Sequence, residues 1–384
     1  MSILSEHMQS ALSLARSNRA RDKGDDPRAH ILLRPVSNDQ VSVVCADGTT
    51  QTEVLVSGSI EEPMAVAPQL FELVQTLKAG VNVKLAPTDK STCKVSTGKS
   101  RFTLPTVPAT NFPLLEGEGS EVIKFSVKAQ VLSQAMESAS RGLGKADTAK
   151  PFTAGILLKC DGKAVYLVGT SGYTLVTVGV GAQVQPGSAA REGVIPEMGV
   201  KQIQRLASGA TAEDRIEIEL GARQVTAKLA GACVRSRLIA CAFPPYERVI
   251  QVENPFTFEV SRSALLAVLK RVGLFVQDNS PFVTVKAEPL QEEAGAATEW
   301  KLTCSVKTPQ GECIESIDLA GSSVKPRAGE AAHAQANLNI TYLASILDAM
   351  PKDSVHVDLG VSTIRVRGTG PAHNVVGISA YYKA

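Results

Sequence analysis

Aromatic residues are scarce in this chain: they make up 4% of its 384 residues, and one of them is tryptophan. Small aliphatic side chains must therefore fill the interior, which favours β-sheets backed by short helices over one large aromatic core. Long apolar runs are missing too, and the first residues have neither the charged start nor the continuous apolar core of a signal peptide. We expect a cytoplasmic protein that does not enter a membrane.

Metal-ligand spacing is absent as well. No cysteine forms a Cys-x-x-Cys pair, and none has a histidine at ligand spacing beside it. Most cysteines stand in apolar alternation, which predicts buried free thiols. His356 alternates with two valines, which predicts a solvent-facing strand position. The seven cysteines are Cys45, Cys93, Cys160, Cys233, Cys241, Cys304 and Cys313.

Complete catalytic motifs are also missing from the sequence. The chain has no Gly-x-Gly-x-x-Gly and no glycine-rich loop that ends in Lys-Ser or Lys-Thr. Ser91 and Lys94 match a Ser-x-x-Lys nucleophile pattern, but no Ser-Asp-Asn element accompanies them and the run around them alternates like a strand. We expect a non-catalytic protein without cofactor or metal.

The chain does contain a large internal repeat. Met64–Pro113 predicts a short strand, a helix, alternating strands and a Pro-aromatic close. The same order returns in Gly193–Val249 and in Ala336–Tyr382, after 129 and then 143 residues. A strand followed by a helix precedes each copy. These are domain-sized steps, so the sequence predicts an α+β protein of three tandem similar domains, at residues 1–120, 121–252 and 253–384.

Charge is unevenly distributed over the predicted elements, although the net charge is only +2. The predicted helices carry thirteen basic and five acidic residues, so the rest of the chain is acidic. A positive helical layer favours binding of a polyanion such as nucleic acid. Basic residues near helix C-termini are also favoured by the helix dipole alone, and this alternative stays open. The predicted helices span residues 6–21, 69–79, 127–145, 197–208, 261–272 and 340–352.

Five stretches carry a resemblance to a known family. In order and spacing they resemble the bacterial DNA polymerase III β subunit, the β sliding clamp, over nearly the whole chain. The resemblance is weakest over the first sixty residues. The stretches are TGKSRFTLPTVPATNFP (97–113), GTSGYTL (169–175), GVIPEMGVKQIQRL (193–206), FPPYERV (243–249) and NITYLASILDAM (339–350).

This resemblance implies the DNA clamp fold, with sheets outside and two helices inside each domain, closed into a ring by a head-to-tail homodimer. It implies a replication processivity factor that encircles duplex DNA without reading its sequence and tethers a polymerase and a clamp loader. Glu197 and Met198 stand where the family commonly has a basic pair. By position, the DNA-facing residues are Arg21, Lys23, Lys145, Lys150, Lys201 and Arg205.

The resemblance also implies where the ring closes. One edge of the first domain would pack on the third domain of the other subunit, with apolar contacts at the centre and opposite charges around them. Ordinary core packing is the alternative for Phe102 and Leu104, since they alternate as in any half-buried strand. The interface residues are Lys99, Arg101, Phe102, Leu104, Leu274, Phe275, Glu312 and Glu315.

A pocket for partner peptides is the last implication. It would bind a short extended peptide through Leu and Phe anchors. The family's acidic-Gly-His-Arg stretch is Ser171–Thr174 here, and its Met-Pro-Met ending is Gly377–Ser379, so we expect an altered peptide preference. The matching positions are Thr153, Thr170, Gly172, Tyr173, Leu175, Pro244, Arg248, Val249, Val361 and Ile378.

One alternative function remains from the sequence. A β-rich nucleic-acid-binding or scaffold protein could derive from the clamp fold without closing a ring. The edge around Phe102 separates the two hypotheses, because only a ring needs it for assembly.

Overall fold

The structure of the protein is a computed structural model. It describes residues 2–15, 26–88, 91–119, 122–145, 147–185, 189–251, 256–277, 280–289, 299–309, 311–319, 324–326, 334–360, 362–370 and 373–380.

The six predicted helices are all present within the described residues, together with one short helix that the sequence pattern missed. Three of them, α2, α3 and α7, end earlier than predicted, and α4 matches its predicted bounds. The helices are α1 (Ser5–Ala15), α2 (Gln69–Gln75), α3 (Ala129–Ser140), α4 (Glu197–Ser208), α5 (Glu247–Ile250), α6 (Arg262–Val272) and α7 (Ile340–Asp348).

Local chemistry explains where the later helices begin. The Ser261 side chain accepts a hydrogen bond from the Ala264 amide at the start of α6. The Asn339 side chain does the same for two amides of α7. Such caps satisfy backbone donors that have no partner inside the helix. Both helices then bury one apolar face, as the 3.6-residue period of the sequence predicts.

Positive charge is not concentrated inside the helix bounds that the structure describes. The six predicted helices, as the structure bounds them, carry five basic and five acidic residues. The predicted excess came from eight basic residues just outside those bounds. Three of them, Arg16, Arg19 and Arg21, lie outside the described residues, and the other five are Lys78, Lys128, Arg141, Lys145 and Lys352.

The described chain divides into two compact units. The first contains residues 1–133 and 182–240, and the second contains residues 134–181 and 241–384. The predicted division into three domains, with boundaries near residues 120 and 252, stays a prediction. The order of strand, helix and strands does recur three times along the chain, as predicted.

The first unit is built around one antiparallel sheet. Its order is β1-β6-β7-β8-β5-β2-β3-β4-β17-β16-β15-β9-β13, and β1 also pairs with β4, so the first eight strands form a closed circuit. Numbered along the whole chain, the strands of this unit are β1 (Ser2–Leu4), β2 (Ile31–Pro35), β3 (Gln40–Ala46), β4 (Thr50–Ser59), β5 (Met64–Val66), β6 (Asn82–Pro87), β7 (Thr92–Thr97), β8 (Ser100–Val107), β9 (Ile123–Lys128), β13 (Ala182–Val184), β14 (Arg191–Pro196), β15 (Arg215–Leu220), β16 (Gln224–Leu229) and β17 (Ala232–Arg237).

The core of the first unit lies between that circuit and two helices. Met8 and Leu12 of α1 and Leu70 and Val74 of α2 are fully buried against aliphatic strand residues. Two cysteines, Cys45 and Cys93, and Leu104 of β8 belong to the same apolar cluster. Aliphatic residues therefore fill this core, as the composition predicts.

The second unit contains two antiparallel sheets. One has the order β10-β11-β12-β26-β25-β24-β18-β22, and the other has the order β21-β20-β19-β23. The strands are β10 (Gly155–Cys160), β11 (Val165–Thr170), β12 (Thr174–Val180), β18 (Phe256–Ser261), β19 (Phe282–Pro289), β20 (Trp300–Thr308), β21 (Gly311–Leu319), β22 (Lys325–Pro326), β23 (Ala334–Asn339), β24 (Ser354–Leu359), β25 (Thr363–Thr369) and β26 (His373–Ala380).

Two glycines let helices lie close on the larger sheet of this unit. A Cβ atom at Gly169 would come within 2.0 Å of the Ala139 carbonyl oxygen of α3. A Cβ atom at Gly377 would come within 2.3 Å of the Ile346 side chain of α7. One face of this sheet is thus covered by helices, and the strand residues of opposite parity point to the other face.

All seven cysteines are free thiols. Burial is confirmed for Cys45, Cys93, Cys160 and Cys304, whereas the other three are half-buried. Burial raises the pKa of Cys304 to about 12, so it stays protonated at neutral pH. His356 is exposed on β24, as predicted. Within the described residues, no helix is both long and apolar enough to cross a membrane.

Candidate functional site

A tight turn between β11 and β12 presents the first group of predicted pocket residues. The Thr170 hydroxyl donates to the Thr174 carbonyl at 2.6 Å, and the Ser171 amide donates to the same oxygen. Gly172 has a φ of +87°, a backbone conformation that glycine adopts without strain. The turn is therefore rigid, and it holds Tyr173 with 60% of its surface exposed.

Tyr173 stands in an aromatic and cationic stack. Its ring stacks on Tyr342 of α7, with ring centroids 6.1 Å apart and planes 12° apart. The Lys150 ammonium lies 5.6 Å from the Tyr173 ring centroid, within the range of a cation–π contact. The residue that replaces the family's histidine thus has two partners that restrict its motion.

The pocket floor comes from paired strands. Leu175 of β12 lies directly opposite Ile378 of β26, and Thr170 of β11 lies opposite Leu175. Directly opposed residues of antiparallel strands share a face, so the three side chains form one row. All three are buried. Thr153 is buried too, and its hydroxyl donates to the backbone carbonyl of Lys150 at 2.8 Å.

One wall comes from the segment around α5. Pro244, Arg248 and Val249 are exposed there, and α5 packs against β26. The Lys159 ammonium is 2.5 Å from a Glu247 carboxylate oxygen, which ties α5 to β10. Burial raises the pKa of Glu247, but the hydrogen bond and charge of Lys159, together with hydrogen bonds from the Glu247 amide and Tyr246, outweigh it and hold the pKa below its usual value.

A cleft of about 490 Å³ continues this surface. Its residues Thr177 and Val376 follow Leu175 and Ile378 on the same face of the same two strands. Tyr246, Glu247 and Ile250 of the α5 segment form its other side. Nine of the ten predicted pocket residues therefore lie in one unit, and Val361 lies outside the described residues.

The predicted ring-closing residues divide into exposed and buried ones. Leu274 is 81% exposed, and Phe102 and Phe275 are more than one-third exposed. Leu104 is buried in the core of the first unit, as the core-packing alternative holds, so its side chain offers no free apolar surface. Ile314, on β21, is 62% exposed and was missed by the sequence reasoning. Its alternation with polar neighbours was the available signal.

The charged members of that set also differ. Lys99, Arg101 and Glu312 are exposed. Glu315 instead makes two hydrogen bonds with Arg271 of α6 in the same chain. Those hydrogen bonds lower the pKa of Glu315 and raise that of Arg271. Glu315 thus already has a cationic partner.

The predicted DNA-facing residues occupy two elements. Lys145 and Lys150 follow α3 and are exposed. Lys201 and Arg205 lie on the exposed side of α4, where Lys201 pairs with Glu197 at 2.5 Å. This pair offsets one positive charge in the place where the family commonly has two. Arg21 and Lys23 lie outside the described residues.

No catalytic arrangement stands out in the described chain. Lys94 lies within β7, as the alternation predicts, and Ser91 directly precedes that strand. The described residues contain no group of three or more His, Cys, Asp or Glu that could hold a metal ion. The pocket around Leu175 and Ile378 and the exposed apolar residues Phe102, Leu274 and Phe275 are surfaces that can bind partners.

Comparison with known proteins points the same way. The family model for the DNA polymerase III beta subunit, central domain, matches residues 126–245. The beta sliding clamp of Pseudomonas putida is 25% identical over 342 residues, which cover 86% of this chain and 85% of the relative. The beta sliding clamp of Chlamydia muridarum is 24% identical over 304 residues, which cover 77% and 78%.

Solved structures agree in fold. The DNA polymerase III subunit beta from Pseudomonas aeruginosa superposes with a TM-score of 0.85 at 20% identity, covering 100% of this chain and 99% of that one. The corresponding subunit from Thermotoga maritima gives 0.81 at 17% identity with the same coverage. A further Pseudomonas aeruginosa structure, of a sliding clamp bound to griselimycin, has a TM-score of 0.85 at 21% identity, again covering 100% and 99%.

Proposed function

Because this chain is a divergent member of the bacterial DNA polymerase III β-subunit family, the β sliding clamps, we propose that two copies close head to tail into a ring around duplex DNA. The chain is a non-catalytic accessory subunit that tethers a DNA polymerase. The polymerase, a clamp loader and other partners would bind through short peptides in the pocket around Leu175 and Ile378. The protein would act in cytoplasmic DNA replication.

The observation that carries the ring is a pattern of strand pairing. In the first unit, β4 pairs with β17, and in the second unit β12 pairs with β26. Each pairing joins the third large strand of one repeat to the last strand of the next repeat. The third repeat has an equivalent third strand, β21, which is the edge of its sheet in the described chain.

The first repeat supplies the matching last strand, β8. It pairs with β7 over Ser100–Pro105, but with β5 only at Thr106 and Val107. The Pro105 carbonyl also accepts from the Ala67 amide, just after β5, so among the described residues the second edge of β8 is open over residues 100–104. An open strand edge beside exposed apolar side chains is a common site for β-pairing with another chain. We propose that β8 of one copy pairs with β21 of the other.

The pairing of β4 with β17 also predicts the register. Thr50 and Thr174 each follow the turn before their strand, and they lie opposite Ser236 and Ser379. Gly311 follows the equivalent turn before β21. Leu104 stands four residues after the first residue of β8, as Ser236 does in β17. Gly311 of one copy should therefore lie opposite Leu104 of the other.

Side-chain positions support this register. It places Phe102 opposite Cys313, on the same face of the paired strands as Gly311. A Cβ atom at Gly311 would lie 3.5 Å from the Phe275 ring, so Phe275 is on that face too. Phe102 would thus reach Phe275 and Leu274, and Ile314 would face Arg101 on the other side. Each copy would contribute to two such contacts, which closes a dimer.

Ring closure can be tested by mass. Sedimentation equilibrium at micromolar concentration should give twice 40.5 kDa for the native chain. The double variant Leu274→Ala/Phe275→Ala should shift the mass toward one subunit, because it removes the apolar centre of the contact. Val36→Ala, which truncates an exposed apolar residue elsewhere, is the matched control and should leave the mass unchanged. A native monomer would favour the scaffold alternative.

DNA binding by topology has its own signature. Contacts from Lys145, Lys150, Lys201 and Arg205 to phosphates would be weak and would weaken further as salt rises. A ring loaded on nicked circular DNA should stay through a high-salt wash and leave when the DNA is cut. Retention that does not depend on circularity would contradict the ring.

The altered peptide preference remains part of the proposal. Tyr173, held by Tyr342 and Lys150, makes the pocket mouth aromatic and cationic. We expect a standard clamp-binding peptide to bind this chain more weakly than it binds an ordinary β clamp. Equal affinities in a side-by-side fluorescence titration would show that the preference is unchanged.

A further inference from the structure

A row of side chains crosses six strands in the second unit. Leu175, Ile378 and Thr170 of the proposed peptide pocket form one end of it. From Ile378 the direct cross-strand partners continue to Arg365 of β25 and Asp358 of β24. Thr257 of β18 follows as the partner of Asp358. The pocket floor and a buried carboxylate therefore share one face of the sheet.

Asp358 is the centre of a saturated hydrogen-bond network. It is 1% exposed. Its Oδ2 accepts from the Nε atoms of Arg365 and Arg367, each at 2.8 Å. Its Oδ1 accepts from Arg367 Nη2 at 2.9 Å and from the Thr257 hydroxyl at 2.8 Å. A buried carboxylate with four donors holds those donors in fixed directions.

The two arginines differ in where they reach. Arg365 Nη1 donates to the carbonyl oxygen of Ile250, at the end of α5, at 2.8 Å. Arg367 directs two nitrogens at Asp358 and is the more exposed of the two. The planar guanidinium of Arg365 thus bonds Asp358 with one nitrogen and the α5 segment with another.

The α5 segment needs such a support. It is a single turn of four residues, and a helix this short does not hold its shape alone. It carries Arg248 and Val249 of the proposed pocket wall, and an open cleft lies beside it. Its ion pair between Lys159 and Glu247 is partly exposed and therefore weak.

We propose that Arg365, oriented by Asp358, is a positioning residue of the peptide pocket, which fixes α5 as the wall against which a partner peptide packs. This inference rests on the proposed pocket. A peptide with Leu and Phe anchors would meet a preformed wall over Leu175 and Ile378. Without the Arg365 bond the wall would move, and the peptide would have to order it on binding.

The test compares two arginines that share one carboxylate. A fluorescein-labelled pentapeptide, Gln-Leu-Ala-Leu-Phe, is titrated into the native chain, Arg365→Gln and Arg367→Gln. Arg365→Gln removes a charged hydrogen bond that holds the wall, so its affinity for the peptide should fall about tenfold or more. Arg367→Gln should keep a peptide affinity within about twofold of that of the native chain. Arg365→Lys should restore part of the affinity.

Stability is measured beside affinity. A purely structural role would make the dissociation constant follow the melting temperature in both variants. Hydrogen exchange gives a second readout that needs no peptide: the amides of Val249 and Ile250 should exchange faster in Arg365→Gln than in Arg367→Gln. Equal exchange and equal affinity in the two variants would overturn the positioning role. A native chain that binds no peptide while α5 still loosens in Arg365→Gln would instead overturn the proposed pocket.

Discussion

Two carboxylates in this protein, the half-buried Glu53 and the buried Asp358, have the same kind of partners but connect different parts of the structure. Glu53, in the first unit, accepts from Arg34, Arg235 and Ser42 at 2.6 to 3.1 Å. Asp358, in the second unit, accepts from two arginines and a threonine at similar distances. Glu53 is the more exposed of the two side chains, at 15% against 1%.

What differs is the connection beyond each carboxylate. The partners of Glu53 stand on strands of one sheet, so the cluster joins β2 and β3 to β17 across the β4 seam. The Asp358 cluster extends through Arg365 to a segment that is not a strand. A buried ion pair is weak evidence for net stability, but it fixes geometry well. The Glu53 cluster therefore fixes how strands pair, whereas the Asp358 cluster fixes the position of α5 at the surface of the proposed pocket.

The largest expected effect is the removal of each carboxylate. Asp358→Ala leaves two arginines without their buried counter-ion and should lower the free energy of unfolding by about 3–5 kcal/mol. Glu53→Ala should cost less, about 2–3 kcal/mol, because water reaches its site more easily. Urea unfolding would measure both. Glu217→Ala, at an exposed carboxylate, is the control, and a loss for Asp358→Ala no greater than this control would contradict the prediction.

The stabilisation that the Glu53 and Asp358 clusters provide should depend on pH. Burial alone raises the pKa of both carboxyls, but hydrogen bonds from their arginine and hydroxyl partners outweigh it and hold each pKa below its usual value. Their stabilisation is therefore complete above the unfolded values of about 3.9 and 4.3 and is lost as pH falls through the folded values.

Melting temperatures between pH 6 and pH 3 would test this dependence. Asp358→Asn and Glu53→Gln should each melt lower at pH 6 and show a shallower fall toward pH 3 than the native chain. Parallel curves for the native chain and both variants would mean that other groups control acid unfolding.

The next effect tests whether the Glu53 cluster supports only strand pairing, while the Asp358 cluster also supports the pocket wall. Arg235→Gln should lower stability by about 1–3 kcal/mol, as the loss of a charged hydrogen bond does, and should leave peptide affinity unchanged. Thermal melting and peptide titration on the same sample would show both. A weaker peptide affinity in Arg235→Gln would break the distinction between the two clusters.

The smallest effect is expected from the ion pair that joins α5 to β10. Lys159 and Glu247 are 29% and 43% exposed as side chains, so the pair is worth less than about 1 kcal/mol. Lys159→Ala should change peptide affinity by less than about threefold, and the change should shrink further at high salt. An effect as large as that of Arg365→Gln would make the exposed pair, and not Asp358, the main support of α5.

Much of the fold could be predicted from the sequence because local periods report local structure. The 3.6-residue period predicted α4 with its bounds, and the alternation around His356 predicted an exposed strand position. Five basic residues that the period assigned to helices lie just beyond the described helix bounds, so within those bounds the predicted positive excess is not found: Lys78, Lys128, Arg141, Lys145 and Lys352. Helix ends depend on caps and close packing, which periodicity does not report.

The candidate surfaces were predicted in part. Phe102, Leu274 and Phe275 were expected at a surface and are exposed there, whereas Leu104 alternates with Phe102 and is buried. Alternation cannot separate these two residues, because both have the same parity on β8. Only the neighbours that pack over each position decide between core and surface.

The sequence by itself determined the threefold repeat, the α+β class and the order of helices and strands, since these depend on side chains close together in the chain. The tertiary structure alone decided which strand edges stay open and which arginine reaches α5. Asp358 meets Arg365 because β24 and β25 pair in one register, and Ile250 joins them from more than a hundred residues away. Such contacts are chosen by the packing of distant segments, and no local pattern encodes them.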